Sequence, residues 1–253
     1  MPITERTASF DNDLELRFRE AGQGDPVLVL HGGAGPASVT PIISRLARTH
    51  HVLAPTHPGW DGTVRPDRLG SVTRLATTYL ELLERLGLSG TTVLGSSFGG
   101  WVAAEMSIRA VPAVLSRLIL LDAIGPEPQH AGPVPATPAP GPDTTTVPGT
   151  QPARRPSPAD LALIQAYTGP VMFDPDLRER LMSVRLPTLV VWGEQDPVVP
   201  VEYGRHYAGA FPDSRFVVIA DAGHLPAGDA PEPTFAAIDD FLAGSAATAG
   251  QTV

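Results

Sequence analysis

Three residues that are far apart in the sequence could together perform nucleophilic catalysis. Ser97 lies in G-S-S-F-G, Asp196 lies in G-E-Q-D-P, and His224 lies in D-A-G-H-L-P. A serine hydroxyl is a weak nucleophile, so it needs a histidine base that a carboxylate orients. The chain order serine, acid, histidine is the order that accompanies a Gly-x-Ser-x-Gly turn. The sequence therefore predicts a catalytic triad of Ser97, Asp196 and His224.

Two adjacent serines compete for the role of nucleophile. Only Ser97 has a glycine two residues before it and two residues after it, Gly95 and Gly99. Centring the motif on Ser96 would place leucine and phenylalanine at the glycine positions. The glycines are needed because the nucleophile sits on a tight strand-to-helix turn, where larger side chains would collide with the backbone. A phosphate-binding loop is disfavoured, because such a loop uses a lysine and this chain has none.

Two aspartates follow predicted strands and could supply the acid. Asp196 follows T-L-V-V-W-G-E-Q, and Asp122 follows L-I-L-L. We favour Asp196, because the triad acid is expected after the strand before the last one. Asp122 remains the alternative, since it also ends a strand of the sheet. Glu194 is expected to be solvated, and a turn or capping role before Pro197 is the competing interpretation of Asp196.

His224 is the strongest candidate base, because it follows the last predicted strand in a glycine-bearing loop. His31 opens an H-G-G turn, where we expect it to hydrogen-bond the backbone. The other five histidines lie at predicted helix ends or in loops, and we expect them to be surface residues without a catalytic role. They are His50, His51, His57, His130 and His206.

The oxyanion of an acyl-transfer intermediate needs preorganised donors. We predict the backbone amides of Phe98, which follows the nucleophile, and of Gly33 in the loop H-G-G-A-G-P, with Ala34 as the alternative to Gly33. Phe98 is also a candidate for the pocket wall. The other candidate substrate-binding residues, each of which could equally be core packing, are Ala34, Trp60, Trp101 and Leu225.

Apolar runs that alternate with amphipathic segments predict the elements that position these residues. From the second run onward the pattern is typical of strands buried on both faces of a parallel sheet. Leu75, Tyr79, Leu82 and Leu83 follow helical spacing between 72 and 86, and a second helix is expected over 101–110. The predicted strands cover 14–19, 27–30, 51–54, 91–94, 118–121, 188–192 and 215–219. This alternation predicts a doubly wound α/β sheet with ligands beyond the carboxyl ends of its strands.

Composition excludes several classes of function. The 253-residue chain has a formal net charge of -9 and no basic cluster beyond Arg154 and Arg155, so we expect neither nucleic acid nor anionic lipid as a partner. It has no cysteine, which excludes thiolate metal sites, and no apolar run long enough to span a membrane. We expect a small-molecule substrate, a cytoplasmic location since no secretory signal is apparent, and an undetermined oligomeric state.

We expect residues 1–253 to form one domain that carries an unusual insertion. Residues 125–158 hold 11 of the 28 prolines and few bulky apolar residues, which predicts a flexible strap. Together with short helices near 159–168 and 175–184, this strap makes up a cap insertion over 125–186. The last residues, 244–253, are expected to be a frayed tail.

These motifs make the chain resemble the α/β-hydrolase fold family, in its serine-nucleophile branch. The likeness rests on L-V-L-H-G-G, P-T-H-P-G-W-D-G, G-S-S-F-G-G, G-E-Q-D-P-V-V-P and G-H-L-P, which occur in this order along nearly the whole chain. The resemblance implies an eight-stranded, mostly parallel sheet with helices on both faces, a covalent acyl-enzyme, and no cofactor or metal. The Pro-rich insertion departs from the compact helical lid of many relatives.

The expected activity is that of a carboxylesterase-like serine hydrolase, which cleaves an ester, thioester, lactone or related carbonyl compound through an acyl-enzyme on Ser97. Several alternatives stay open at this stage. A carbon-carbon bond hydrolase or a prolyl aminopeptidase-like enzyme would use the same triad. A lyase or cyclase would keep the scaffold without acylating Ser97, and a non-catalytic ligand-binding protein would keep only the pocket.

Overall fold

The computed structural model describes residues 2–10, 14–111, 113–128 and 156–244. Eight strands form one sheet in the order β1-β2-β4-β3-β5-β6-β7-β8. The strands are β1 (Thr4–Phe10), β2 (Leu14–Ala21), β3 (Pro26–Leu30), β4 (His51–Pro55), β5 (Thr91–Ser96), β6 (Leu115–Leu121), β7 (Thr188–Gly193) and β8 (Ser214–Ile219).

The sheet is mostly parallel, as predicted. Strand β2 pairs antiparallel with both β1 and β4, whereas the pairs from β4 through β3, β5, β6 and β7 to β8 are all parallel. Strands β5, β6, β7 and β8 are therefore consecutive in the sheet, and their carboxyl ends share one edge. Side chains that follow these four strands are brought together there, although they are distant in sequence.

Helices cover both faces of the sheet. The helices are α1 (Thr40–Leu46), α2 (Val72–Arg85), α3 (Phe98–Arg109), α4 (Pro158–Thr168), α5 (Leu177–Leu181), α6 (Val201–Ala208), α7 (Pro226–Asp229) and α8 (Pro231–Gly244). One apolar core lies between the sheet and α2, α3, α4, α5 and α6, and a second core lies between the other face and α1, α7 and α8. This arrangement confirms the predicted α/β-hydrolase fold class.

Capping residues explain where two helices begin. Ser71 precedes α2 and accepts a hydrogen bond from the Arg74 amide at 3.2 Å. Ser157 precedes α4 and accepts one from the Asp160 amide at 3.2 Å, while the Asp160 carboxylate accepts from the Ser157 amide at 2.7 Å. Such reciprocal caps satisfy amides that have no partner within the helix. Helix α4 starts one residue before its predicted range, and α5 occupies only the middle of 175–184.

Two strands differ from the sequence-based expectation. Strand β1 was not predicted, because its residues are mostly exposed and polar at the edge of the sheet. Strand β8 was predicted to be buried on both faces, but five of its six residues are exposed or only partly buried, Ile219 being the exception. The physical reason is that β8 is the opposite edge strand, with β7 as its single neighbour in the sheet.

Parts of two predicted segments lie outside the described residues. These are residues 129–155, which make up most of the predicted strap, and 245–253, which make up most of the predicted tail. Of the predicted cap over 125–186, the structure describes 125–128 and the segment that begins at residue 156 and carries α4 and α5. Among the described helices, none has the length and apolar character that crossing a membrane requires.

Candidate active site

Ser97 occupies the sharp turn between β5 and α3. Its backbone adopts φ 54° and ψ -119°, a region that non-glycine residues seldom enter. A Cβ atom on Gly95 would lie 2.2 Å from the Gly99 carbonyl oxygen, and one on Gly99 would lie 2.4 Å from the Leu30 carbonyl oxygen. Both positions therefore require glycine, for the steric reason that the motif predicts.

The structure brings Ser97, His224 and Asp196 into one hydrogen-bonded chain. His224 Nε2 lies 2.9 Å from Ser97 Oγ, and His224 Nδ1 lies 2.8 Å from Asp196 Oδ2. With a neutral imidazole, Nδ1–H donates to the carboxylate, which leaves Nε2 free to accept the serine proton. The three residues follow β5, β7 and β8, so the shared carboxyl edge of the sheet explains their proximity.

Asp196 is held from both sides. Its Oδ1 accepts hydrogen bonds from the amides of Val198 at 2.7 Å and Val199 at 3.1 Å, while Oδ2 faces His224. The Asp196 side chain is fully buried, whereas 18% of the His224 side chain is exposed. The acid is thus fixed and desolvated, and the imidazole beside Ser97 keeps partial access to solvent.

Asp122, the alternative acid, lies against the same group. One carboxylate oxygen of Asp122, one of Asp196 and one ring nitrogen of His224 all lie within 4.8 Å of one another. Asp122 Oδ1 accepts a hydrogen bond from the Gly193 amide at 2.8 Å. Burial, and then the negative charge of Asp196, raise the pKa of Asp122 well above its ordinary value. The hydrogen bond to His224 is made by Asp196, and Asp122 lies beside it. Glu194 is exposed, as expected.

The predicted oxyanion donors belong to the residue after Ser97 and to the H-G-G loop. The Phe98 amide is at the first residue of α3, where the positive end of the helix dipole favours negative charge. The H-G-G loop approaches closely, since a Cβ on Gly32 would lie 2.8 Å from Ser97 Cβ. Within the described part of the chain, neither the Phe98 amide nor the Gly33 amide donates a hydrogen bond. Among the described residues both amides thus lack an acceptor, as the donors of an oxyanion hole should.

A buried histidine pair anchors the H-G-G loop. His31 Nδ1 lies 2.7 Å from the Gly32 carbonyl oxygen, and the His57 amide donates to His31 Nε2 at 3.0 Å. His57 Nε2 lies 2.8 Å from the His31 carbonyl oxygen, and His57 Nδ1 lies 2.5 Å from the Tyr79 hydroxyl. These partners suit neutral rings, with Nδ1–H on His31 and Nε2–H on His57.

The surface role expected for His57 was wrong. Its side chain is fully buried, and burial lowers its pKa from 6.5 to about 4. Burial likewise lowers the pKa of His31, and the nearby His57 lowers it further. The backbone role expected for His31 agrees with its hydrogen bonds. His50, His51 and His206 are partly or fully exposed, as a surface role requires. His130 lies outside the described residues.

A match to a known family gives this geometry its context. A model of the alpha/beta hydrolase family matches residues 27–237, which is most of the chain. The protein belongs to the alpha/beta hydrolase family. The matched range includes the H-G-G loop, the Ser97 turn, Asp196 and His224.

Proteins similar to this alpha/beta hydrolase include named hydrolases of 2-hydroxy-6-oxo acids and an esterase of known structure. It is 26% identical to a 2-hydroxy-6-oxononadienedioate/2-hydroxy-6-oxononatrienedioate hydrolase of Pseudomonas putida, over 91% of this chain and 92% of the relative. It is 27% identical to 2-hydroxy-6-oxo-6-(2'-aminophenyl)hexa-2,4-dienoic acid hydrolase of Metapseudomonas resinovorans, over 90% and 88%. A thermophilic esterase from Thermogutta terrifontis is similar in structure, with a TM-score of 0.74 and 26% identity over 96% of this chain and 99% of that one.

The predicted pocket residues of this hydrolase divide into two groups. Trp60 and Phe98 stack on each other with ring centroids 5.8 Å apart, and Trp60 Nε1 donates to the Gly33 carbonyl oxygen at 3.1 Å. Ala34 is buried in the same loop as Gly33. Trp101 instead packs near Gly125, and Leu225 is the residue that caps α7 after His224.

Two residues of α4 that the sequence did not single out belong to this region. The Tyr167 ring lies 5.7 Å from Phe98 and 6.2 Å from Trp60. Ile164 packs on Gly33, where a Cβ would lie 2.5 Å from Ile164 Cδ1. We call Trp60, Phe98, Ile164 and Tyr167 the aromatic wall. The available signal was the spacing of Ile164 and Tyr167, which places both on one face of a helix.

Proposed function

We propose that this alpha/beta hydrolase is a serine hydrolase, in which Ser97 is the nucleophile, His224 the general base and Asp196 the acid that orients His224. The observation that carries the proposal is the continuous chain of hydrogen bonds from Ser97 Oγ through His224 to Asp196, at 2.9 Å and 2.8 Å. These distances are those that transfer of the serine proton to the base requires.

The proposed cycle uses only groups of the chain and water. Ser97 Oγ attacks the substrate carbonyl carbon while its proton passes to His224 Nε2, and the carbonyl oxygen becomes an oxyanion. The amides of Phe98 and Gly33 would stabilise that charge, each donor being worth about 10² to 10³ in rate. When the carbonyl re-forms, the leaving group departs with the proton from His224. His224 then takes a proton from water as the water attacks the acyl-enzyme. The carboxylic acid product is released, and Ser97 regains its proton from His224.

The surroundings of Ser97 favour a small substrate with an apolar part. The aromatic wall packs in the core beside the Gly33 loop, with Trp60, Phe98 and Tyr167 almost fully buried, so the groups behind this side of the site are apolar. The net charge of -9 disfavours a highly anionic substrate at long range. We therefore propose esters, thioesters and lactones of modest size as the first substrate class.

Carbon-carbon bond hydrolysis is the second candidate, because several named relatives are described as hydrolases of 2-hydroxy-6-oxo dienoates. Such substrates carry a carboxylate, which needs a cation in the pocket. Arg65 lies with its guanidinium 5.3 Å from the Tyr167 ring centroid, at the edge of the aromatic wall. Arg65 is thus a candidate counter-charge for a carboxylate bound against that wall.

A substrate panel distinguishes the two candidates. We would measure kcat/KM for p-nitrophenyl acetate, p-nitrophenyl hexanoate, a hexanoyl lactone and 2-hydroxy-6-oxo-6-phenylhexa-2,4-dienoate, using wild type, Arg65→Gln and the exposed control Arg48→Gln. If the protein is an esterase, the neutral esters are preferred and Arg65→Gln changes little. If it cleaves carbon-carbon bonds, the dienoate is preferred and Arg65→Gln raises its KM. Failure to turn over any of the four, with all proteins folded, would contradict both candidates.

A further inference from the structure

Asp122 is a buried carboxyl group for which the proposed cycle has no use. It directly follows β6, and Asp196 follows β7, the adjacent parallel strand. The Asp122 side chain is fully buried, and its backbone φ of 42° lies in a region that a non-glycine residue keeps only when its surroundings hold it there. One oxygen of each carboxylate and one ring nitrogen of His224 lie within 4.8 Å of one another.

The hydrogen bonds of Asp122 are complete on one oxygen only. Oδ1 accepts from the Gly193 amide at 2.8 Å, whereas Oδ2 is buried and, among the described residues, meets no donor. An ionised carboxylate in this position would leave Oδ2 unsatisfied and would repel the charge of Asp196. A protonated Asp122 removes both costs, because its O–H becomes a donor that can face the Asp196 carboxylate.

The electrostatic surroundings point the same way. The charged groups that act on Asp122 are Asp196 and Asp229, and His224 is its third ionisable neighbour. Burial, the charge of Asp196 and, more weakly, the charge of Asp229 raise the pKa of Asp122, whereas the Gly193 amide lowers it. Two carboxyl groups this close share their protons as a pair.

We propose that Asp122 is a positioning residue for the triad: it keeps its proton at neutral pH, donates it to Asp196, and ionises to orient His224 itself when Asp196 is replaced by asparagine. The proposal rests on the proposed function, since it assigns His224 as the base that must be oriented. Replacement of Asp196 by asparagine removes the like charge that opposes ionisation of Asp122. Asp122 can then ionise and accept the hydrogen bond from His224.

The first test asks whether Asp122 is protonated in the folded protein. Unfolding free energies of wild type and Asp122→Asn are measured by urea denaturation from pH 4 to pH 8. Unfolded Asp122 ionises near its ordinary pKa of 3.8, while folded Asp122 keeps its proton. The free energy of unfolding of wild type should therefore fall, relative to that of Asp122→Asn, as the pH rises above 4, because the folded state binds the extra proton. The unfolding constant of wild type relative to Asp122→Asn should rise by up to about tenfold per pH unit. A ratio that stays flat, or that falls with pH, would overturn the proposal.

The second test asks whether Asp122 replaces Asp196. The hydrogen-bonded Nδ1–H proton of His224 is followed by NMR at neutral pH in wild type, Asp122→Asn, Asp196→Asn and the double variant, with His224→Gln to assign the signal. Asp122→Asn can still accept from Gly193 and donate to Asp196, so its downfield Nδ1–H signal should match that of wild type. Asp196→Asn should keep a downfield signal that the double variant loses, because ionised Asp122 accepts the hydrogen bond from Nδ1–H. Identical spectra of these two proteins would refute the reserve role.

Rates of fluorophosphonate labelling, measured on the same samples, separate the two proposals. Asp122→Asn should slow labelling much less while Asp196 is present than it does in the Asp196→Asn background. In the Asp196→Asn background it should slow labelling about tenfold or more, up to the roughly 10⁴-fold loss expected of a triad that lacks its acid. A wild type that is never labelled, together with the predicted stability and NMR results, would remove the serine hydrolase assignment and leave Asp122 as the partner of Asp196. Equal slowing by Asp122→Asn in both backgrounds would contradict its reserve role.

Discussion

The histidines of the candidate site lie in two different environments. His224, after β8, is partly exposed and lies between a carboxylate and the serine hydroxyl. His31, which opens the H-G-G loop, and His57, which is bonded to it, are fully buried and bond backbone groups and a tyrosine. The difference teaches that burial and hydrogen-bond partners decide whether an imidazole can exchange a proton.

The two environments also differ in charge. Asp196 beside His224 can stabilise an imidazolium, whereas burial lowers the pKa of both His31 and His57 and keeps them neutral. A neutral imidazole with its hydrogen bonds made is far less costly to bury than an imidazolium. It can therefore hold the loop that carries Gly33 without competing for the proton of Ser97.

The largest difference between the two environments should appear in catalysis. His224→Gln removes the proposed base, and we expect about a 10⁴-fold or greater loss of kcat. His57→Gln keeps an amide donor for the His31 carbonyl and an acceptor for Tyr79, so it should retain most activity. Steady-state assays on the best substrate of the panel check this order. Equal losses from the two variants would mean that the comparison is wrong.

The next largest effect should appear in the stability of the folded protein at acid pH. Unfolded His57 binds a proton below pH 6.5, whereas folded His57 binds one only near pH 4, so more protons are bound in the unfolded state between these values. The free energy of unfolding should therefore fall as the pH falls from 6.5 to 4, by about 3 kcal/mol from His57 alone. His31 acts in the same direction.

Urea denaturation between pH 4 and pH 7 measures this slope. The His57→Gln variant is the matched control, because glutamine has no titration in this range. Its stability should depend less steeply on pH than that of wild type. A wild type and a variant with the same slope would show that His57 is not held neutral.

A smaller effect is expected from Tyr79→Phe. The Tyr79 hydroxyl lies 2.5 Å from His57 Nδ1, so its removal leaves a buried acceptor without a donor and should cost about 1 to 3 kcal/mol. Tyr207→Phe is the matched control, since the Tyr207 hydroxyl is buried and, within the described residues, has no hydrogen-bond partner. Thermal denaturation compares the two. A cost for Tyr207→Phe as large as that for Tyr79→Phe would show that the contact with His57 adds nothing.

The smallest effect is expected from Ser96→Ala. Ser96 ends β5 and is buried, and among the described residues its hydroxyl takes part in no hydrogen bond. The variant should keep its activity within about threefold and its stability within about 1 kcal/mol of wild type. A loss of activity comparable with that of His224→Gln would transfer a catalytic role to Ser96.

Much of the fold was predictable because the spacing of apolar residues along the chain indicates each buried strand and helix. Helix α2 was expected over 72–86 and is found at Val72–Arg85, and the doubly buried strands β3 to β7 are continuous apolar runs. Strand β1 lacks such a run, because most residues of this edge strand are exposed and need not be apolar. The partial exposure of β8 depends on the order of strands in the sheet, which a local pattern does not contain.

The geometry of the candidate site was predictable where steric need restricts the residue type. Gly95 and Gly99 must be glycine, and this singled out Ser97. The burial of His57 was missed because histidine occurs in both surface and core positions and its partner Tyr79 is 22 residues away. Asp122 was recognised as an acid at the correct edge, but its closeness to Asp196 follows from the pairing of β6 with β7.

The most direct test of the serine assignment is intact mass spectrometry after exposure to a fluorophosphonate. Wild type, Ser97→Ala and Ser96→Ala are compared, with circular dichroism to confirm that each is folded. We predict a single adduct on wild type and on Ser96→Ala and no adduct on Ser97→Ala. A folded wild type without an adduct, or an adduct that persists in Ser97→Ala, would contradict the assignment of Ser97 as the activated nucleophile.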